Sequence, residues 1–238
     1  MRYVRVFLVA AVAAATLVAG PEAHAASTPI SSCGQTVTSN AVLTQNLVCT
    51  GGGIVIGASG ITVDLKGFVI RGDRGSGDYG IEDSGGWDDV TVKNGVLRNF
   101  DFGIYAAPAD KFAVTSLMVV GDLGAGIYVQ GDGASVAKAT VVGDAYGISL
   151  VGDGAKITSS TAARNAITGM LVVGGDAVIK SSTATANQTS GIVISGSSGS
   201  VTSSTASANG AFGIFVDGDF DSVKSSTAVG NGCSGASR

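Results

Sequence analysis

Between Gly147 and Asn231 the chain repeats itself every 22 residues. Gly147, Gly169, Gly191 and Gly213 each open an apolar tetrad, and Asn165, Asn187, Asn209 and Asn231 recur at the same interval. Ile157, Ile179, Val201 and Val223 each stand two residues ahead of a Ser-Ser-Thr-Ala run. A fixed period in this range is the mark of a solenoid, in which each repeat is one coil stacked on its neighbours. The register continues upstream, with a slack of one residue, through Gly126, Gly103 and Gly80.

Aligning the coils on these glycines predicts which side chains point where. The next position reads Ile104, Ile127, Ile148, Met170, Ile192, Ile214, and two residues later come Ala106, Val129, Leu150, Val172, Ile194, Val216. Both columns are apolar throughout and must face the interior. The column between them, Tyr105, Tyr128, Ser149, Leu171, Val193 and Phe215, is mixed and must face outward. Alternation of period two inside a repeat of this length means short strands joined by turns. A polar column, Asn99, Asp122, Asp144, Asn165, Asn187, Asn209 and Asn231, suits a hydrogen-bonded ladder along the stack and turns that need left-handed backbone.

Coils begin near Gly53, and the repeat is broken between Arg71 and Asp89 by a stretch rich in Gly, Asp and Arg. Residues 26–50 are irregular, and a solenoid needs its first coil covered. They are expected to form an N-terminal cap tied by a Cys33–Cys49 disulfide, with the helix spanning 51–232 and a tail at 233–238. Cys233 is left as a free thiol, an intermolecular link, or the true partner of one of the other two. A chain that stops so soon after its last repeat exposes strand edges, which predicts self-association through the C-terminal coil.

The N-terminus restricts the chemistry. Arg2 and Arg5, an uncharged apolar run from Val6 to Ala19 and Ala23-His24-Ala25 together describe a signal peptide over 1–25, hence a secreted protein. No stretch is long enough to embed the chain in a membrane. His24 is the only histidine, so the mature chain has no imidazole for Ser-His-Asp or Cys-His catalysis or for most zinc and copper sites. Removing Arg2, Arg5 and Glu22 takes the counts from 14 basic and 18 acidic side chains to 12 and 17, a net of −5. That balance argues against nucleic acid as a partner.

Gly-Ile-x-Val-x-Gly segments, the inward polar ladder and the coil length together resemble the right-handed parallel β-helix, or pectin-lyase-like, superfamily, with about eight coils. It is closest to the exported β-helix-repeat proteins with a short cysteine-bearing cap. The resemblance implies an all-β solenoid and admits lyases, hydrolases, epimerases, adhesins and tailspikes. The Asn-Thr-Asp and Gly-His-Gly signatures of polygalacturonases are absent, as is the Arg-x-Pro-x-x-Arg of pectate lyases. Two functional readings follow. Tyr79, Trp87, Tyr105 and Tyr128 offer aromatic surface to a polysaccharide or cell surface, without catalysis. Alternatively Glu82, Asp88, Asp89 and Asp101 supply the carboxylates of a polysaccharide lyase or glycoside hydrolase. No metal site is expected; calcium at turns such as Asp217-x-Asp219-x-Asp221 is the one cofactor left open, since the closing glycine and glutamate of an EF-hand are missing.

Overall fold

Each 22-residue unit becomes one coil of three short strands. The computed structural model describes residues 27–237, with side chains through Gly232; the expected signal peptide at 1–25 and the thiol of Cys233 lie outside what is described. In the coil that starts at Tyr146, strands Tyr146–Val151, Lys156–Thr158 and Thr161–Ala163 follow one another. Every strand pairs in parallel with its counterparts in the coils before and after, as Tyr146–Val151 does with Ala125–Gln130 and Met170–Val173. The first strands of the coils form a sheet of ten, here sheet I. The second and third form two runs of one 17-stranded sheet, sheet II. The runs are joined because Thr91–Arg98 and Ala113–Val120 continue through the corner between them.

The core is the inside of this coil. Ile104, Ile127, Ile148, Met170, Ile192 and their partners two residues on are buried. Opposite them lie the central residues of the sheet II strands, such as Ile157, Ile179, Ala162 and Ala184. Burying each large aliphatic side chain contributes about 1.5–3 kcal/mol.

Both corners of sheet II use left-handed backbone. Between its two runs the first serine of each Ser-Ser-Thr-Ala segment takes φ near 50°, as at Ser159 (50°), Ser181 (52°) and Ser203 (51°). The second serine turns inward. Ser160 donates its backbone N–H to Ser182 Oγ at 3.2 Å, while Ser182 Oγ–H donates to Lys180 O at 2.9 Å. The segment is therefore a serine ladder, a role the sequence reading did not assign.

At the corner leading back to sheet I the polar column forms its ladder. Asn187 Oδ1 accepts both the backbone N–H and the side-chain N–H of Asn165, at 3.0 and 2.9 Å, and Asn187 Nδ2 donates to Ala162 O at 3.2 Å. Two details differ from expectation. The left-handed residue is the one before each asparagine, as at Arg164 (54°), Ala186 (56°) and Ala208 (55°). Asn99 is likewise such a turn residue, with φ 60°, and does not enter the ladder. Its place is taken by Phe100, buried at 0% exposure, whose N–H donates to Asp122 Oδ1 at 2.7 Å.

The glycine and asparagine columns are two halves of one contact. A Cβ on Gly169 would sit 2.6 Å from Asn187 Nδ2 and 2.8 Å from Gly191 O, and the same holds at Gly191 against Asn209. Gly169→Ala is therefore expected to destabilise the protein by about 2 kcal/mol or more, read as a lower urea midpoint. An unchanged midpoint would show that the ladder yields without penalty.

The two irregular segments are more regular than the sequence suggests. Thr28–Ile30 stacks on Ala41–Leu43, and Gln35–Val37, Ala41–Leu43 and Leu47–Val48 stack on the coil that follows, with Gln35–Val37 on Ile54–Ile56, Ala41 on Val63 and Leu47 on Ile70. The segment expected as a separate cap is thus a coil of the solenoid. It brings the total to about nine turns. Cys33 and Cys49 are bonded, with Cα atoms 5.7 Å apart. Within the expected break, Tyr79–Asp83 remains a strand of sheet I, so the irregular parts are the loops on either side of it. Cys233–Ser237, expected as a tail, is the tenth strand of sheet I.

Candidate functional site

The outer face of sheet I carries the aromatic side chains. Parallel register sets Tyr105 beside Tyr128, and the rings stack with centroids 5.5 Å apart and planes at 21°. Tyr79, one coil earlier and three residues back along its strand, stacks on Tyr105 at 4.7 Å and 13°. Phe102 meets all three edge-on, at 5.8 Å from Tyr79, 5.5 Å from Tyr105 and 6.1 Å from Tyr128. Such pairs stabilise by about 0.5–1.5 kcal/mol each beyond area burial. Phe102 was not among the sequence candidates. Its position just before the repeat glycine, where Tyr146 and Phe212 recur in other coils, is the signal that could have found it. Burial pushes the Tyr79 phenol above its ordinary pKa, reinforced by Tyr105 and by the charges of Asp101 and Glu82.

The carboxylate candidates do not converge. Glu82 lies beside Tyr105 on the outer face and accepts the Ser84 hydroxyl at 2.7 Å. Asp101 precedes its strand and accepts the Gly77 N–H at 2.8 Å. Asp88 and Asp89 lie past the other end of these strands. Asp88 Oδ1 accepts the Asp110 N–H at 2.9 Å, and Asp89 faces the Lys111 ammonium at 3.8 Å. A five-residue strand separates the two ends by roughly 16 Å, whereas paired glycosidase carboxyls stand about 5–9.5 Å apart. Asp88 continues into a surface row, Asp110, Asp132 and Asp153, each accepting an N–H from the next coil. Among the described residues no three His, Cys, Asp or Glu side chains gather as a metal would need.

Trp87 does not join the tyrosines. It sits in the loop after Tyr79–Asp83, half-buried against the core, and donates its backbone N–H to Asp83 Oδ1 at 3.2 Å. Asp83 itself is the residue that sequence reading missed. Register puts it beside Ala106, in the second apolar column, with 0% exposure. Extending that column one coil upstream from Ala106 would have found a carboxylate among aliphatics. Burial raises its pKa to about 6, opposed by the N–H groups of Trp87, Gly85 and Gly86 and assisted by Asp88. The folded value exceeds the unfolded one, so the stability Asp83 contributes is complete below about pH 4 and is lost as pH rises through 6. Trp87 is the single tryptophan. Its fluorescence should therefore shift with a midpoint near pH 6, and the shift should vanish in Asp83→Asn. A wild-type emission flat from pH 4 to 8 would contradict this.

The family described as "Right handed beta helix region" matches residues 102–237. The chain belongs to this β-helix family. Solved structures agree on the fold. A double mutant of the periplasmic alginate epimerase AlgG matches with a TM-score of 0.63 at 16% identity, over 87% of this chain and 64% of that one. AlgG itself gives 0.58 at 15%, over 84% and 70%. The Dettilon tailspike protein gives 0.58 at 16%, over 75% and 40%. This β-helix thus spans well under half of the tailspike and just under two thirds of the epimerase double mutant. No curated protein matches the sequence. Among the described residues no helix is long and apolar enough to cross a membrane.

Proposed function

We propose that this β-helix protein is exported and binds a polysaccharide or cell surface through the outer face of sheet I, without turning it over. The observation that carries this reading is the column Tyr79, Tyr105 and Tyr128 braced by Phe102, an aromatic platform that is only partly covered. Tyrosine provides apolar contact area with a hydroxyl at its edge, the combination that sugar rings meet well. The absence of catalysis is argued from the spread of Glu82, Asp88, Asp89 and Asp101 along and beyond the strands, each engaged with a backbone or side-chain donor or a lysine. Export is argued from the N-terminal sequence and is in keeping with the periplasmic origin of AlgG.

The test is retention of residues 26–238 on immobilised polysaccharides, with products followed by ultraviolet absorbance and reducing-end assays. Tyr105→Ala/Tyr128→Ala should abolish retention, while Asp88→Ala and Asp101→Ala should leave it intact. Turnover that disappears in either aspartate variant would replace this reading with that of a lyase or hydrolase.

A further inference from the structure

The stacked tyrosines use most of their ring faces on one another. Tyr105 is covered on one side by Tyr79 and on the other by Tyr128. The face of Tyr128 turned away from Tyr105 is different. The next residue in its column is Ser149, and the one after is Leu171. Between Tyr105 and Phe215 serine is the smallest side chain in this column, so this coil lacks the ring or branched chain that fills the position in the coils on either side. The gap is an open cavity of about 340 Å³, walled by Tyr128, Phe102, Tyr146 and Leu171, with Ser149 among its lining residues. Tyr128 and Leu171 are two coils apart, about 9.5 Å at the ordinary inter-strand spacing. A ring seated midway would lie about 4.8 Å from each, within the 4.5–7 Å range of stacked rings.

Charge narrows the occupant. None of the ten strands of sheet I contains a lysine or arginine. All seven lysines lie on the first run of sheet II or the turns that flank it. Around the aromatic column the charged groups are carboxylates, Glu82 beside Tyr105 and Asp101 facing Tyr79. At the corner leading into this sheet, Arg74 donates its Nε–H to Gly121 O at 3.0 Å and faces the buried Asp122 and Asp144. A uronate ring would find no cation on the strands of sheet I to pair with and would meet the like charge of Glu82 and Asp101.

We infer that the notch over Ser149 holds one neutral pyranose ring of the bound polysaccharide, stacked on the free face of Tyr128 in place of the missing side chain. The inference rests on the polysaccharide-binding reading above and adds to it a subsite and a charge class. The ring's apolar face lies against Tyr128, while its hydroxyls reach Ser149 Oγ and the Tyr128–Gln130 pair, whose oxygens are 3.2 Å apart.

Calorimetric titration of the protein tests this with hexasaccharides of glucose, mannose and galactose and with the uronate hexamers of the same sugars. Ser149→Tyr plugs the notch and extends the tyrosine column by one ring, so its melting temperature should equal or exceed that of the wild type. The wild type should bind at least one neutral hexamer, with the matching uronate weaker by about tenfold or more, and Ser149→Tyr should lose about tenfold or more in affinity. Ser149→Ala should keep most of it, because it leaves the space open. Undiminished neutral binding by a stable Ser149→Tyr would overturn the subsite yet leave polysaccharide binding elsewhere on the sheet standing. Uronates binding as tightly as neutral sugars would overturn the charge class. Binding of no hexamer at all would overturn the inference; if the polysaccharides themselves also fail to retain the protein, the underlying reading falls with it.

Discussion

Replacing Asp122 and Asp144 together by asparagine is expected to stabilise the protein by on the order of 5 kcal/mol at pH 8 and by under about 1 kcal/mol at pH 4. Both residues occupy ladder positions that are asparagine in the later coils. Asp144 Oδ1 accepts the Asp122 N–H at 2.6 Å, as Asn187 does for Asn165, but Oδ2 of each aspartate has no partner. A protonated carboxyl restores the donor that an asparagine carries on Nδ2. Burial accordingly raises Asp122 to about 8, with the Phe100 N–H and Arg74 opposing and Asp144 and Asp101 adding to the rise. Burial raises Asp144 to about 7, against the N–H groups of Asp122 and Gly121 and the charge of Arg74. Because the folded values lie above the unfolded one, the folded state holds protons that the unfolded chain releases. Stability from this pair is complete below about pH 4 and declines until about pH 8. Asp64 acts in the opposite sense: burial would raise its pKa, but the Lys66 N–H, the Asn94 amide and the Lys66 ammonium together hold it below the ordinary carboxylate value. Its share is lost as pH falls below about 4, so the wild type should be most stable near pH 4–5. Urea unfolding at both pH values measures the effect. A wild type equally stable at pH 4 and 8 would contradict it.

The second large effect is expected at the centre of the ladder. Asn187→Ala should destabilise the protein by roughly 3–5 kcal/mol, since each orphaned buried donor costs about 1–3 kcal/mol. It strands two donors of Asn165, its backbone N–H and Nδ2, and frees the Ala162 carbonyl. The penalty should not fall on one coil alone, because the ladder continues through Asn209 and Asn231 with the same geometry. Asn187→Asp offers the matching control. It should resemble the alanine variant at pH 8 and approach the wild type at pH 4, where the acid is neutral. If Asn187→Ala unfolds at the wild-type urea concentration, the column is only a set of turn residues.

How much of this was legible in the sequence follows from what each residue must satisfy. Columns such as Ile148, Met170 and Ile192 were readable because a stack of identical coils imposes the same burial on every copy. The inward asparagines were readable for the same reason, though their turn role was assigned one residue late: the left-handed positions, Arg164, Ala186 and Ala208, show no common side-chain chemistry. Asn99 misled because a polar residue one place before Phe100 fits the column when a slack of one is allowed. The serine ladder stayed hidden since Ser160 and Ser182 also look like ordinary turn residues. The site was less legible than the fold. Outward placement of Tyr105 and Tyr128 came from alternation alone, but the mutual stacking of the rings, the bracing by Phe102 and the vacancy at Ser149 depend on side-chain directions across coils. Trp87 was grouped with the tyrosines by closeness in sequence, whereas Asp83 and its loop turn it toward the core.

The central claim is binding without turnover on the aromatic face of sheet I. It is tested most directly by one depletion assay, in which the protein is mixed with an insoluble neutral polysaccharide and both free protein and new reducing ends are followed over time. Saturable loss of protein from solution is expected, prevented by Tyr105→Ala/Tyr128→Ala, with no rise in reducing ends. Reducing ends that accumulate in proportion to wild-type protein, or depletion that the double variant leaves unchanged, would contradict it.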